Sequence, residues 1–478
     1  MREVCTGSPS TTLSVDGAAI GNVVGFSVHE RISAPFRDVV AVEVGPGVAL
    51  EGLLGSPATL SYTRSQRTTA FSGVVSRVAL TAERDGHAVY AVELAPTLAA
   101  LELSKTLRTF QGKHKRDIVR SVLETAGVPF ELRLAGPAPR PIDFVLQGGE
   151  TDFAFASRVL EEEGSHYHFV PGDPAGTVVI GNTNAAFEAL SGFAYYGHME
   201  EAPTPDEEYF TTLAFETVLA SDSAVVHGYD FIAPNKDFTG SAGAGSAHTL
   251  VRFTLGVRAL SANQETDALA LADLERAELG RRTLTGTSTA ADLRAGGIVT
   301  VADADGRFSG AYLVTGVRHL LEVEDDGCVL FGNQFSAVPA ETPYRPALEH
   351  PKPNLAGTTS AFVVGPPGEE IFTDEHGRVA IRFPWQPTDL LALPWVRVSL
   401  PIASKNRGFS FVPAIGDEVL VAFEGGDPDR PIIVGSVRNP AIPPILKLPD
   451  NKDALVWSAS TTVGITERPD SLTLLPPP

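Results

Sequence analysis

The chain is poor in the residues that usually announce redox, metal or membrane function. Its 478 residues include two cysteines, Cys5 and Cys328, two methionines and three tryptophans. Two cysteines cannot make a disulfide framework, and they lack the paired spacing of a zinc ribbon. No window approaches the roughly 20 apolar residues needed to span a bilayer. The opening MREVCTGSPSTTLSV has no apolar core of signal-peptide length. These absences predict cytoplasmic assembly without a signal peptide and no stable membrane insertion, so export would depend on other machinery. Basic residues are scarce as well: 37 Lys plus Arg face 58 Asp plus Glu, a formal net charge of -21. Binding to nucleic acid through phosphate neutralisation is therefore not expected.

Catalytic signatures are equally absent. The sequence contains no P-loop, no His-Glu-x-x-His, no Gly-x-Ser-x-Gly and no Cys-x-x-Cys. Glu161, Glu162 and Glu163 form a carboxylate run, but three successive residues on a helix point in different directions and cannot converge on one substrate. His166 and His168 would share one face of a strand, yet no third ligand is evident nearby. Asp374 and His376 supply two ligands at most, and His376 reads more simply as a turn residue. No catalytic, cofactor-binding or metal-ligating residue is predicted, and no cofactor.

What the chain does have is glycine and proline, 45 and 36 residues, with 43% apolar content. That composition predicts a turn-rich, mainly β protein, and the length implies about three domains. The clearest stretch runs from Pro353 to Asn439. It holds five short runs, Ala361 to Val364, Arg378 to Phe383, Trp395 to Leu400, Glu418 to Glu424 and Ile432 to Val437. In the second run Val379, Ile381 and Phe383 alternate with Arg378, Ala380 and Arg382, as a half-buried strand requires. Breakers such as His376-Gly377, Pro413 to Gly416 and Gly425-Gly426-Asp427-Pro428 separate the runs. Five such strands suit a five-stranded OB-like barrel.

The segment DEHGRVAIRFPWQ from Asp374, then WVRVSLP from Trp395, then PAIGDEVLVAFEGGDPDRP from Pro413 resembles the VgrG family. That family comprises trimeric spike proteins of type VI secretion systems, related to the hub and spike proteins of contractile phage tails. The motif matches fall on Asp374, Gly377, Arg378, Phe383, Pro384, Trp385, Trp395, Arg397, Pro413, Gly416, Glu418, Gly425 and Pro428, which the resemblance implies are structural determinants of turns, core or trimer contact.

The resemblance extends upstream through Phe71-Ser-Gly-Val-Val, Arg108-Thr-Phe-Gln-Gly, Gln147 with Glu150-Thr-Asp-Phe, Asp292-Leu-Arg-Ala-Gly and Gly310 to His319. It implies a hub of two β-barrel subdomains with inserted helices over 1–345, before a proline-rich linker at 346–353, an OB domain at 354–440 and a short tail at 441–478. Short alternating runs between Leu13 and Leu94 read as antiparallel sheet. Apolar spacing predicts helices over Lys115 to Ala126, Thr151 to Glu163 and Glu265 to Leu279, the last with Ala268, Leu271, Leu274 and Ala277 facing inward. Pro234 to His248, rich in Gly, Ala and Ser, is expected to be a flexible surface loop. After Asn439 no β-helix repeat is visible, and Thr461 to Ile465 is the one candidate strand of the tail.

The function implied is that of a structural spike and hub, not an enzyme. It would be a homotrimer capping a hexameric inner tube, with baseplate proteins and a spike-tip cap protein or effector as partners, helping to puncture a target envelope. The alternative is a stand-alone OB-type carbohydrate- or envelope-binding module with Trp385 and Trp395 as stacking platforms.

Overall fold

A computed structural model of the chain describes residues 9–64, 67–84, 86–196, 207–243, 250–258, 263–323, 329–387, 394–405 and 411–453. The chain divides into two compact units, Met1–Leu355 with Gly425–Arg430, and Ala356–Glu424 with Pro431–Pro478. The fold is mainly β, with three α-helices among the described residues, α1 (Lys115–Thr125), α2 (Asp152–Glu163) and α3 (Asn263–Leu279).

A 14-stranded sheet is the frame of the first unit. Its N-terminal half pairs Ser10–Val15, Pro57–Arg64, Arg67–Arg84, His87–Ala95, Asp38–Val44 and Asn22–Arg31 in antiparallel register. Alternation decides which face is buried: along Asp38–Val44 the side chains of Val40, Val42 and Val44 enter one core while Val39 stays exposed. Phe26, Tyr62, Phe71 and Phe331 fill the centre of that core, with Tyr62 stacked on Phe331 at 4.5 Å.

The C-terminal half forms a second core. Gly310–Val323 pairs with Asn22–Arg31 and Val329–Pro339, and its first residues also pair with Gly297–Asp303. This extra pairing closes a ring that runs through Phe193–Tyr195, Tyr209–Thr217 and Arg282–Ser288. Phe210, Leu284, Val299, Val301, Val314 and Phe335 fill it. The two expected hub barrels are thus two cores on one continuous sheet.

Helices α1 and α2 pack together between the halves in sequence, burying Ile118, Val122, Leu123, Phe155 and Val159. Thr151 Oγ1 accepts from Ala154 N at 3.1 Å to cap α2, and Gly164 ends it at φ +74°, the left-handed region that glycine enters without strain.

Two expectations need correction. The stretch 234–248 is not wholly a loop: Phe238–Gly243 is a strand antiparallel to Ser223–Tyr229, which also pairs parallel with Val251–Arg258. Residues 244–248 lie outside the described residues. Behind this sheet, α3 buries Thr266 and Ala270, with Leu269 and Leu274 against the same cluster, whereas Leu271 is 49% exposed and Ala268 is exposed. The run Ala268-Leu-Ala-Leu-Ala272 offers several apolar stripes, and the close approach of Gly240 to Thr266 selects the one used.

The second unit holds a closed barrel of Thr358–Val364, Val379–Arg382, Trp395–Val398, Pro431–Val437 and Glu418–Phe423. Each strand lies on one of the five apolar runs, and Ala361, Val363, Val379, Ala380, Ile381, Phe383, Val396, Val419, Val421 and Ile433 are among its buried residues. The candidate strand Thr461 to Ile465 falls outside the described residues.

A Cβ at Gly240 would sit 2.2 Å from the carbonyl carbon of Thr266, a backbone atom that cannot rotate away. Gly240→Ala is expected to separate this strand from α3 at a cost on the order of 1–3 kcal/mol. Hydrogen exchange should show faster exchange confined to 223–243 and α3, and unchanged protection there would refute the account.

Candidate functional site

The polar groups that organise the first unit gather around α2. Its N-terminal Asp152 is buried and fully used: Oδ1 accepts from Thr106 Oγ1 at 2.8 Å and Gln147 Nε2 at 2.7 Å, while Oδ2 accepts from Ser104 Oγ and Arg108 Nη2, both at 2.9 Å. Burial by itself raises its pKa, but these donors outweigh it and hold the carboxyl below its usual value. The Gln147/Glu150-Thr-Asp-Phe block is therefore a satisfied polar network tying two strands to a helix start.

One turn further on, Arg158 is 1% exposed. Its Nη2 donates to Glu150 Oε1 at 2.7 Å and to the Leu146 carbonyl at 3.2 Å, and Nη1 donates to Glu162 Oε1 at 3.3 Å. Asp429 Oδ2 lies 3.8 Å away, and Asp429 Oδ1 accepts from Leu146 N at 2.8 Å. Lys352 Nζ stands 2.7 Å from Asp429 and 3.2 Å from Asp427, and Lys115 Nζ 2.9 Å from Glu162. Burial pushes the Glu162 carboxyl up, but Lys115, Lys352 and Arg158 prevail and bring it to about 2. The buried Arg158 stays charged because Glu150, Glu162 and Asp429 outweigh its desolvation.

The three glutamates do diverge. Glu161 turns to the 346–353 segment, where Oε1 meets His350 Nδ1 at 2.6 Å and Oε2 accepts from His350 N at 3.0 Å. Glu162 faces the cations just described. Burial raises the pKa of Glu163, with Lys115 and Arg116 opposing. The proline-rich segment itself is held along the first unit: Arg276 Nε donates to the Pro346 carbonyl at 2.8 Å, and Arg31 makes a two-point pair with Glu349 at 2.6 and 2.7 Å.

His166 and His168 are buried side by side against Phe187, with His166 stacked on it at 4.2 Å. Burial drives them neutral, to about 3 and about 4. Among the described residues no group of three or more His, Cys, Asp and Glu gathers to hold a metal ion.

The family-motif residues occupy several structural roles. Asp374 Oδ1 accepts from His376 N and Arg378 N at 3.0 and 2.8 Å, and Oδ2 from Arg378 Nε at 2.6 Å, around Gly377 at φ +71°. Phe383 is fully buried, and its N donates to Gln386 Oε1 at 2.7 Å across exposed Pro384 and half-buried Trp385. Trp385 stacks on Phe383 at 4.6 Å, and Trp395 packs on Phe372 at 5.0 Å. Both rings thus lean on their own barrel, which gives the stand-alone carbohydrate-binding reading no support. Arg397 pairs with Glu424. Pro413 is buried, Gly416 turns at φ +96°, and Glu418 accepts from Ser360 Oγ and Asn439 Nδ2 at 2.7 and 2.9 Å. Gly425 and buried Pro428 belong to the first unit, where they carry Asp429 to Arg158. Arg158, Lys115, Lys352 and Asp429 were not singled out from the sequence. A charged residue at an inward position of an amphipathic helix was the available signal for Arg158.

Removing Arg158 leaves Glu150 buried without its counter-charge and Asp429 with Lys352 alone, so Arg158→Met should cost about 3–5 kcal/mol in urea unfolding. A loss under ~1 kcal/mol would overturn the network's role. The unit should also be acid-labile. Glu162 is depressed in the fold, so its stabilisation holds above the unfolded value of 4.5 and is lost as pH falls towards about 2. His166, His168 and His319 are held neutral, with folded values of about 3, 4 and 4, so their penalty begins below the unfolded 6.5 and grows down to those values. The unfolding midpoint should fall below pH 6.5 through the histidines and further below pH 4.5 through Glu162, and a flat profile in either interval would contradict the assignment that governs it.

Comparison with known proteins places this architecture. Residues 29–325 match the phage tail baseplate hub (GPD) family, and 372–437 match the type VI secretion system/phage-baseplate injector OB domain. The Pseudomonas aeruginosa spike protein VgrG4b is 30% identical over 484 aligned positions, covering 95% of this chain and 59% of the relative. VgrG1b of the same organism is 31% identical, covering 88% and 59%. This chain therefore spans about three fifths of the length of these relatives. The actin cross-linking toxin VgrG1 of Vibrio cholerae is 30% identical, with 84% of this chain matched to 38% of the toxin. Among solved structures, the E. coli c3393 protein, a type VI secretion component described as similar to the T4 tail proteins gp27 and gp5, superposes with a TM-score of 0.66 at 24% identity, covering 89% of this chain and 99% of that one. The VgrG-containing complex with PdpA gives 0.61 at 9% identity, covering 92% and 89%. With more than half its length matched by the hub profile and the OB domain following in the same order, the chain belongs to the VgrG family of baseplate-hub and spike proteins.

Proposed function

We propose that this protein is the hub and spike base of a type VI contractile injection apparatus, capping the inner tube as a homotrimer. The observation that carries the reading is the order within one chain: a hub with two β cores, then a closed OB barrel, matching relatives that are type VI spike proteins. Two barrel-like halves per chain let three chains present six to a hexameric tube ring, which is how closed threefold symmetry can meet a sixfold partner. Its work is mechanical. Close-packed sheet cores resist deformation, and contraction of a surrounding sheath would drive tube and spike through a target envelope.

The partners follow from that position: the tube protein below, baseplate proteins around it and a cap protein or effector beyond the OB barrel. The complex of a VgrG with PdpA supports the last of these by analogy. The protein would be assembled in the cytoplasm and leave by the machine itself. The matched region of the Vibrio cholerae toxin covers 38% of that protein, so the part shared with this chain reads as carrier, and no enzymatic role is assigned to it.

Light scattering after size exclusion should give about 152 kDa, three times the 50.5 kDa of one chain, holding on dilution. A species of 50.5 kDa at every concentration would refute the trimer. Deleting the encoding gene should stop release of the tube protein into the medium, and continued release would remove the hub assignment.

A further inference from the structure

The three-stranded sheet against α3 treats its two edges differently. Phe238–Gly243 is one edge, Ser223–Tyr229 the centre and Val251–Arg258 the other edge. An open edge offers a row of backbone donors and acceptors to another strand, and folded proteins blunt such rows. The first edge is blunted: Asp237 Oδ1 accepts from Thr239 N at 2.9 Å, and Asp267 Oδ1 accepts from Ser241 N at 3.2 Å. Among the described residues no side chain does the same for the backbone of Val251–Arg258, and no further strand pairs with it.

The two faces of the sheet differ as well. Ala224 and Val226 point to α3 and are buried with Ala270. Alternation turns Val225, His227 and Tyr229 to the opposite face, where the register sets Val225 beside Phe253 and Ser223 beside Val251. That face is open along the edge strand: Phe253 is 62% exposed and Val251 51%, with Tyr229 at 46% on the central strand. Exposed apolar residues scattered singly are ordinary, whereas neighbours on an unpaired edge mark a contact surface.

The charge on the edge strand decides what fits it. Thr254 Oγ1 donates to Asp273 Oδ2 at 3.1 Å, so Thr254 lies on the α3 side, and alternation puts Arg252 there too. Arg252 is exposed and makes no ion pair among the described residues. The charge it bears on is that of Arg276, a like charge already paired with Asp273. The strand therefore offers two apolar side chains on one side and an uncompensated guanidinium between them on the other.

We propose that Val251–Arg258 is a docking edge that takes an extended segment of another protein as a further strand, with apolar residues beside Val251 and Phe253 and a carboxylate beside Arg252. In strand addition the backbone pairing supplies affinity, and side chains at alternate positions supply selectivity. Opposite charges across a strand pair attract and like charges repel, so the neighbour of Arg252 is acidic. A second copy of this chain is a poorer occupant. A strand that pairs with itself needs a twofold axis, and the homotrimer proposed above has none.

The test is selection on the full chain from a yeast-displayed library of random peptides about ten residues long, with Phe253→Asp as the counter-target. Phe253 is exposed, so this variant should keep the parent's unfolding midpoint. Selected peptides are expected to alternate apolar and polar residues with Asp or Glu at one intervening position. They should bind the parent chain about tenfold or more tightly than Phe253→Asp and slow amide exchange in 223–229 and 251–258. N-methylation of alternate peptide amides should abolish binding, since an added strand must donate to the edge. Arg252→Glu should weaken binding, and lysine in place of the peptide carboxylate should restore it on that variant, a reversal that misfolding cannot imitate. The proposal is overturned if no peptide distinguishes the two chains, if enriched peptides lack the alternation or the acid, or if protection appears elsewhere. A fall in solution mass on Phe253→Asp would make the edge a contact between copies and would overturn it too.

Discussion

Strand Gly310–Val323 is the constraint on which the first unit rests. A strand in the middle of a sheet must satisfy its backbone on both sides, and this one is paired with Val329–Pro339 on one edge and with Asn22–Arg31 and Gly297–Asp303 on the other. Tyr312, Val314 and Val317 enter one core while Leu321 enters the other. The register shift between Val314 and Gly316 separates the residues paired with Gly297–Asp303 from those paired with Asn22–Arg31. Neither core can loosen without exposing backbone groups of the other, so two barrel-like halves behave as one body.

Buried charge is the second constraint. Arg158 and its carboxylates are costly to take out of water, and replacing the whole set by apolar residues would be about neutral or favourable in stability. Charged partners specify geometry better than apolar ones, because a mispaired register leaves ions uncompensated. Asp429 reaches Arg158 from a turn whose six residues, Gly425–Arg430, belong to the first unit although their flanking strands build the OB barrel. The same logic explains Asp152, which uses both oxygens to fix Ser104, Thr106, Arg108 and Gln147 around one helix terminus.

Much of this was legible before any coordinates. The five runs of the OB barrel and the runs of the first barrel appear as strands because period-two alternation reports burial directly, and α1 and α2 follow from apolar spacing with Gly127 and Gly164 as stops. The failures have physical causes. Phe238–Gly243 looks like loop because its glycines deny it a pattern, yet Gly240 is needed there so that the strand can touch α3. The inward stripe of α3 was misread because its run of Ala and Leu lets more than one face serve.

The sequence alone determined the strand periodicity, the turn chemistry and the family motifs, all carried by residues a few positions apart. Tertiary structure decided which distant charges meet. Leu146 and Asp429 are 283 residues apart in the chain, and Val225 and Phe253 lie side by side only after their strands have paired. Local patterns encode burial because the backbone has fixed periods. Ion pairs and strand neighbours depend on chain crossings that no local period records.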